Sequence, residues 1–269
     1  MALRSKLANL YAREDSENDF WVKYFRSVYY PPIYSKESRV AVKCVRPEAP
    51  EKSYTDLASE LKLMVHIGEH KNIVNLLGAC TLDGPLWEIL EFCPNGDLRK
   101  YLRTKKLIPT WERLEMTTDD LGYMDLSRMS LEIAEGMIFL SASGIVHRDL
   151  AARNVLVGAR FEMKIADFGL ARDIGGMDEE YNAESERPIP IRWSAPEAIT
   201  MGIYSTSSDV WSYGVVLWEL YSMGQNPYGG MTNYDVKMLV EKGERLTSPT
   251  NCPENMYLLM QGCWNKEPK

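Results

Sequence analysis

The sequence predicts an α+β protein in which a small strand-rich part precedes a larger, mainly helical one. Two features carry that expectation. Up to Glu91 the apolar residues come in short runs bounded by turn residues, whereas beyond it they recur at helical spacing. Of the 269 residues, 45% are hydrophobic and 26% are charged, which suffices for a buried core and excludes a disordered, collagen-like or disulfide-framework class.

Residues 1 to 38 combine mixed charge with an aromatic cluster, Phe20, Trp21, Tyr24, Phe25, Tyr29 and Tyr30, and contain Pro31-Pro32, which stops a helix. No element is assigned there. Val40 to Val45 is short, rich in valine and closed by Pro47, as a buried strand would be. Leu57, Leu61 and Met64 recur at helical spacing within a helix predicted over Tyr54 to Ile67, with Gly68 as its stop. The runs Ile73 to Leu77 and Leu86 to Leu90 predict two strands around an Asp83-Gly84-Pro85 turn. A polar, acidic connector from Thr104 to Tyr123 is expected as a surface insert. Leu126, Met129, Ile133, Met137 and Leu140 form one stripe of a helix over Asp125 to Ser143, closed by Gly144. Ser207 to Ser222 is apolar on nearly all faces and reads as a helix buried within a helical layer, and Asn233 to Lys242 and Asn255 to Cys263 predict two shorter helices.

Composition removes several function classes. The net charge is −7 and the pI about 5.2, against a generic nucleic-acid or anionic-membrane binder. Cys44, Cys80, Cys93, Cys252 and Cys263 form no C-x-x-C pair and have no metal-ligand spacing, so buried free thiols in a reducing compartment are expected. His66 and His70 lie four apart, but no Glu follows His66, and the metallopeptidase pattern fails. The longest apolar candidate for a membrane span, Val210 to Trp218, stops at Glu219, so no span is expected in this chain, nor is a signal core at Met1 to Leu10.

The chemistry concentrates in His147-Arg148-Asp149-Leu150-Ala151-Ala152-Arg153-Asn154, Asp167-Phe168-Gly169 and Ala195-Pro196-Glu197. These blocks, together with Val40-Ala41-Val42-Lys43, resemble the protein-kinase signature set in its order. The Leu150 to Asn154 ending and the stretch from Pro188 to Ala198 resemble the receptor tyrosine kinase version. Asn72 to Thr81 and Met163 to Ile174 are most similar to the fibroblast growth factor receptor group. The resemblance covers roughly residues 39 to 269 and implies a two-lobe protein-kinase fold. The expected division is an unassigned segment at 1–38, a β-rich N-lobe with hinge at 39–93, and a helical C-lobe at 94–269 with an insert near 104–123.

The activity that this resemblance implies is transfer of the γ-phosphoryl group of ATP to protein tyrosine hydroxyls, with magnesium as cofactor. By the same resemblance Asp149 is the catalytic base, and Arg153 helps position the tyrosine hydroxyl. Asn154 and Asp167, 18 residues beyond Asp149, offer the hard oxygen ligands that suit Mg²⁺. Lys43 is implied to hold the ATP phosphates, and Glu60, 17 residues on and sharing a helix face with Leu57 and Met64, to keep the ammonium aimed. Glu91, Phe92 and Cys93 resemble the adenine-binding hinge, with Leu90 guarding the pocket behind it, although plain strand packing would use the same residues. Asp209 resembles the residue that holds the catalytic-loop backbone.

Tyr181, among Asp178, Glu179, Glu180 and Glu184, is the candidate autophosphorylation switch, with Arg148 and Arg172 as cations for its phosphate; an acidic loop with an incidental tyrosine is the alternative. The partners implied are tyrosine-bearing protein substrates and a second copy of the chain during trans-autophosphorylation. The place implied is the cytoplasm, on the inner side of the plasma membrane within a full-length receptor. Two departures accompany the match. No glycine precedes Gly68, so the family's glycine-rich phosphate loop is missing, and the chain stops before the arginine that would pair with Glu197 and before the last helix. The first departure makes a catalytically impaired, kinase-like binding or regulatory module the alternative function.

Overall fold

The computed structural model describes residues 21–26, 39–81, 85–111, 117–175, 181–182 and 189–265, with side chains described outside 21–26 and 181–182. The chain divides into two compact units, one of residues 1–70 and 74–93, the other of residues 71–73 and 94–269. Among the described residues the first unit is a small sheet with one helix and the second is mainly helical, which makes the chain α+β, as its sequence predicts.

In the first unit, strands β1 (Trp21–Arg26), β2 (Arg39–Cys44), β3 (Leu76–Cys80) and β4 (Trp87–Glu91) form an antiparallel sheet in the order β1-β2-β4-β3. Residues 21–26, left unassigned by sequence, pair in full with β2, from Trp21 opposite Cys44 to Arg26 opposite Arg39. Along β2 the side chains alternate: Val40, Val42 and Cys44 are buried and Lys43 projects from the other face. Val40 and Val42 pack with Leu77, Trp87 and Ile89. Helix α1 (Glu51–Ile67) starts three residues before its predicted beginning and ends at Gly68, whose φ of 73° suits a residue without Cβ.

The strand expected at Ile73 to Leu77 is corrected. Strand β3 starts at Leu76 and shifts register between Leu76 and Gly78, while Ile73 bridges to Ile165 and belongs to the second unit. A continuous apolar run records burial, and here two units bury it in turn. The predicted turn at Asp83-Gly84-Pro85 lies outside the described residues except for Pro85.

The second unit begins with α2 (Leu98–Arg103), which sequence reading missed although Asp97 caps it by accepting the Lys100 backbone N–H at 2.8 Å. The connector at 104–123 is more than a surface insert: β5 (Lys106–Leu107) and β6 (Asp120–Leu121) pair in parallel, and Leu121 is buried. Helix α3 (Tyr123–Ala142) buries Leu126, Met129, Ile133 and Leu140 of the predicted stripe, while Met137 is only partly buried. It is followed by β7 (Ile145–Val146), the one-turn helix Ala152–Asn154, and the hairpin of β8 (Val155–Val157) and β9 (Met163–Ile165). Strand β10 (Arg172–Asp173) pairs with β7. Strand β11 (Tyr181–Asn182) pairs with β12 (Ile203–Tyr204), which follows α4 (Pro196–Met201).

Helix α5 (Thr206–Tyr221) is the buried helix its sequence predicts, with all residues from Val215 to Tyr221 buried. Close packing explains Gly214 in its middle, where a Cβ would come within 2.6 Å of the Trp264 indole nitrogen and 2.7 Å of Cys263. Helices α6 (Asn233–Glu241) and α7 (Glu254–Cys263) match the two shorter predictions to within a residue at either end. Cys44 and Cys93 are buried free thiols as expected, but Cys80, Cys252 and Cys263 are only partly buried. Among the described residues no helix is long and apolar enough to cross a membrane.

Candidate functional site

The first unit supplies a cation–carboxylate pair. Lys43 stands on an interior strand, in register with Val22 on one side and Glu88 on the other. Its Nζ donates to both oxygens of Glu60, at 2.6 Å and 2.8 Å. Glu60 reaches it from the buried stripe of α1 formed by Leu57, Glu60, Met64 and Ile67. Side-chain exposure is 12% for Lys43 and 4% for Glu60, so water screens the pair little and its orientation is tightly held. At the end of β4, Leu90 lies opposite Ala41 and Leu76. The Glu91 amide donates to the Asn75 carbonyl at 3.0 Å, and the Glu91 carboxylate accepts from Asn75 Nδ2, also at 3.0 Å. Phe92 is half-buried and Cys93 is buried.

The second unit supplies a carboxylate held from several sides. Asp149 accepts a hydrogen bond from Arg153 on Oδ1 and one from Asn154 Nδ2 on Oδ2 at 2.8 Å, while the same Nδ2 donates to its backbone carbonyl at 2.7 Å. Burial pushes the Asp149 carboxyl up to about 6; Arg153 and Asn154 oppose that rise, and Asp167 adds to it. The loop carrying Asp149 is itself hung on α5. Asp209 accepts the backbone N–H of His147 at 2.7 Å and that of Arg148 at 3.0 Å, as its resemblance implied. Arg148 adopts a φ of 69°, a left-handed conformation that costs about 1 kcal/mol or more and needs such anchoring to persist.

His147 ties the loop to the strand leading to Asp167. Its Nδ1 accepts from the Asp149 amide at 3.3 Å and its Nε2 contacts the Ala166 carbonyl at 3.1 Å, which fixes a neutral ring with the proton on Nε2. Burial holds that ring neutral by lowering its pKa to about 4. The Ala166 amide returns a bond to the Asn154 carbonyl at 2.8 Å. Asp167 has a φ of 62°, and Phe168 is buried with its ring 5.3 Å from that of His147.

The structure thus brings Lys43 to Glu60, and Asp149 to Arg153 and Asn154. Arg148 is buried, with its guanidinium 4.1 Å from the Tyr204 ring and a bond to the Leu170 carbonyl at 3.2 Å. Arg172 donates to the Ala171 carbonyl at 2.7 Å. The Tyr181 backbone lies opposite Tyr204, while the Tyr181 side chain and residues 176–180 and 183–188 lie outside the described residues. Glu197 makes at least one interaction of its own.

Sequence reasoning missed two contributors. Trp193 donates its indole N–H to Glu219 Oε2 at 2.9 Å, and its ring lies 4.3 Å from the Arg153 guanidinium. The same Glu219 oxygen accepts the Ala152 amide at 2.8 Å. The available signal was a lone carboxylate inside the apolar stretch Val215 to Tyr221.

Residues 23–269 match the family described as protein tyrosine and serine/threonine kinase. The chain is 44% identical over 237 residues to fibroblast growth factor receptor 1 of Pleurodeles waltl and 45% identical over 238 residues to fibroblast growth factor receptor 1 of Xenopus laevis. Each comparison covers 87% of this chain, which spans 29% of the length of either curated relative.

Proposed function

The chain belongs to the protein tyrosine and serine/threonine kinase family, and from that premise we propose that it transfers the γ-phosphoryl group of ATP to tyrosine hydroxyls of proteins, as the intracellular catalytic part of a longer receptor. The observation that carries this reading is the Asp149 carboxylate, buried yet flanked by a cation and an amide. A carboxyl raised to about 6 is ionised at neutral pH and more basic than an ordinary aspartate, which suits it to orient a phenol and accept its proton. Arg153, beside it, offers a cation to the incoming tyrosine hydroxyl. Lys43, aimed by Glu60, is the cation for the ATP phosphates, and the Glu91 to Cys93 backbone, behind Leu90, is the adenine contact.

The donor set also fits magnesium. Asn154 commits its amide nitrogen to Asp149, so its carbonyl oxygen is the ligand atom, and Asp167 adds a charged oxygen. Magnesium bound there neutralises phosphate charge. The partners of this reading are tyrosine-bearing proteins and a second copy of the chain, which modifies Tyr181 in trans with Arg148 among the cations for the new phosphate.

Transfer from Mg-ATP to a glutamate–tyrosine copolymer tests the reading. The parent chain should label it, and Asp149→Asn should lose at least about a hundredfold in kcat. Equal rates for the two proteins would remove Asp149 as the base. A cooperatively folded parent that transfers nothing would replace catalysis with a binding role.

A further inference from the structure

Glu219 has no part in the chemistry of transfer itself, yet it is 0% exposed and its environment is costly. Burial raises its pKa. Only Oε2 accepts hydrogen bonds among the described residues, while Oε1 is buried without a partner. A carboxylate kept under such conditions destabilises the fold relative to a well-packed apolar side chain, unless something other than packing depends on it.

What depends on it is visible in the two donors. One is the Ala152 amide, the backbone N–H of the residue immediately before Arg153. The other is the indole of Trp193, on whose face the Arg153 guanidinium lies at 4.3 Å. One buried oxygen therefore fixes Arg153 at its root, through the backbone, and at its tip, through the plane of the ring. Arg153 in turn holds Asp149 Oδ1. The carboxylate also attracts the guanidinium directly, since Arg153 is among the charges that stabilise its ionised form.

We propose that Glu219 is a positioning residue for phosphoryl transfer, setting through Ala152 and Trp193 the place of Arg153 and so the orientation of Asp149. The proposal rests on the kinase reading of the site. It assigns to α5 a second task beside the hold of Asp209 on His147 and Arg148, and it explains why a carboxylate interrupts the helix where it is most apolar.

The test reads the Arg153 Nε–Hε resonance of the full chain, assigned by its disappearance in Arg153→Lys. Stacking on Trp193 shifts that proton upfield through the ring current. In Glu219→Met, which keeps the side-chain length and removes both acceptors, the upfield shift should collapse. In Glu219→Gln, which keeps an acceptor oxygen, most of it should remain. In transfer assays Glu219→Met should lower kcat by up to about a hundredfold with the KM for ATP little changed, the cost expected when a reacting group is displaced by about 1 Å. Glu219→Gln should lose less.

An unchanged Arg153 resonance in cooperatively folded Glu219→Met overturns the proposal, as does an unchanged kcat. Should Glu219→Met not fold, Trp193→Phe removes the indole donor and keeps an aromatic face. Loss of the upfield shift is expected there too, and a parent-like shift would overturn the proposal. Because the resonance needs no turnover, failure of the kinase reading shows separately, as a parent chain with an intact Arg153 signature that transfers no phosphate.

Discussion

Replacing Asp209 with Asn separates what this carboxylate does for the catalytic loop from what it does for stability. Its two oxygens accept the His147 and Arg148 amides, at 2.7 Å and 3.0 Å. An asparagine can meet only one of those N–H groups and turns its own N–H₂ toward the other, which costs about 1–3 kcal/mol. Against this stands the burial of the charge, which raises the carboxyl from 3.8 to about 6 in the folded protein. A raised pKa means the folded state binds the proton more tightly, so the stability gained from Asp209 is full below pH 4 and is lost as pH rises to about 6.

At about 1.4 kcal/mol per unit that loss is about 3 kcal/mol, and Asn, which does not titrate, escapes it. His147 titrates with the opposite sign between about 4 and 6.5, but it is present in both proteins and largely cancels in their difference. Urea unfolding at a series of pH values measures that difference directly. Asp209→Asn should be less stable than the parent near pH 4, and the gap should close or reverse by pH 7, while transfer activity at pH 7 falls because one loop amide has lost its acceptor. A stability difference that stays constant from pH 4 to pH 7 would refute the reasoning.

Lys43→Met leaves Glu60 buried without the cation held at 2.6 Å, and should cost about 3–5 kcal/mol in urea unfolding; Lys43→Met combined with Glu60→Leu should recover part of that loss, and purely additive losses would count against the pair. In Gly136→Ala the new methyl would meet Ile165 Cδ1 at 2.7 Å and the Asn72 carbonyl at 2.9 Å, so a drop of about 1–3 kcal/mol and a lower Tm are expected in calorimetry. Tyr181→Phe should abolish the gain in activity that follows preincubation with Mg-ATP; a variant activated as fully as the parent would remove Tyr181 as the switch. Burial pushes the thiols of Cys252 and Cys263 up to about 11, so iodoacetamide at pH 7.4 should label both slowly in the folded protein and quickly after unfolding.

Helix stripes were the most legible part of the fold, because a 3.6-residue period needs only apolar positions to show itself. The α3 stripe and the all-round apolar α5 both appear where their patterns place them. Short elements escaped for the same physical reason. Helix α2 has only six residues, and its cap at Asp97 was its clearest mark. Strand β1 draws its stability from pairing with β2, which an aromatic, glycine-free segment does not announce. At the candidate site, the partners Lys43 and Glu60 were legible because the helix face of Glu60 agreed with the spacing of its neighbours. Trp193 and Glu219 were not, since a bond between residues 26 apart depends on how α5 lies under the loop. The apolar run at Ile73 misled because burial alone does not say which unit does the burying.

The two carboxylates of α5 explain why the loop between them can hold strained backbone. Asp209 and Glu219 are ten residues apart, about 15 Å along a helix at 1.5 Å per residue. They grip the loop at Arg148 and Ala152, a span of four residues that reaches at most about 14 Å when extended. Between these two grips Ala151 is fully extended, at φ −157° and ψ 157°. A segment gripped at both ends has few alternative paths, so the left-handed Arg148 has little room to relax and Asp149 has little room to wander. Both anchors are buried carboxylates whose pKa values are raised, which means that the fold gives up stability at neutral pH to keep them charged. An apolar α5 would be the more stable helix, but it would let go of the loop, and the position of Asp149 would then depend on contacts made by the loop alone.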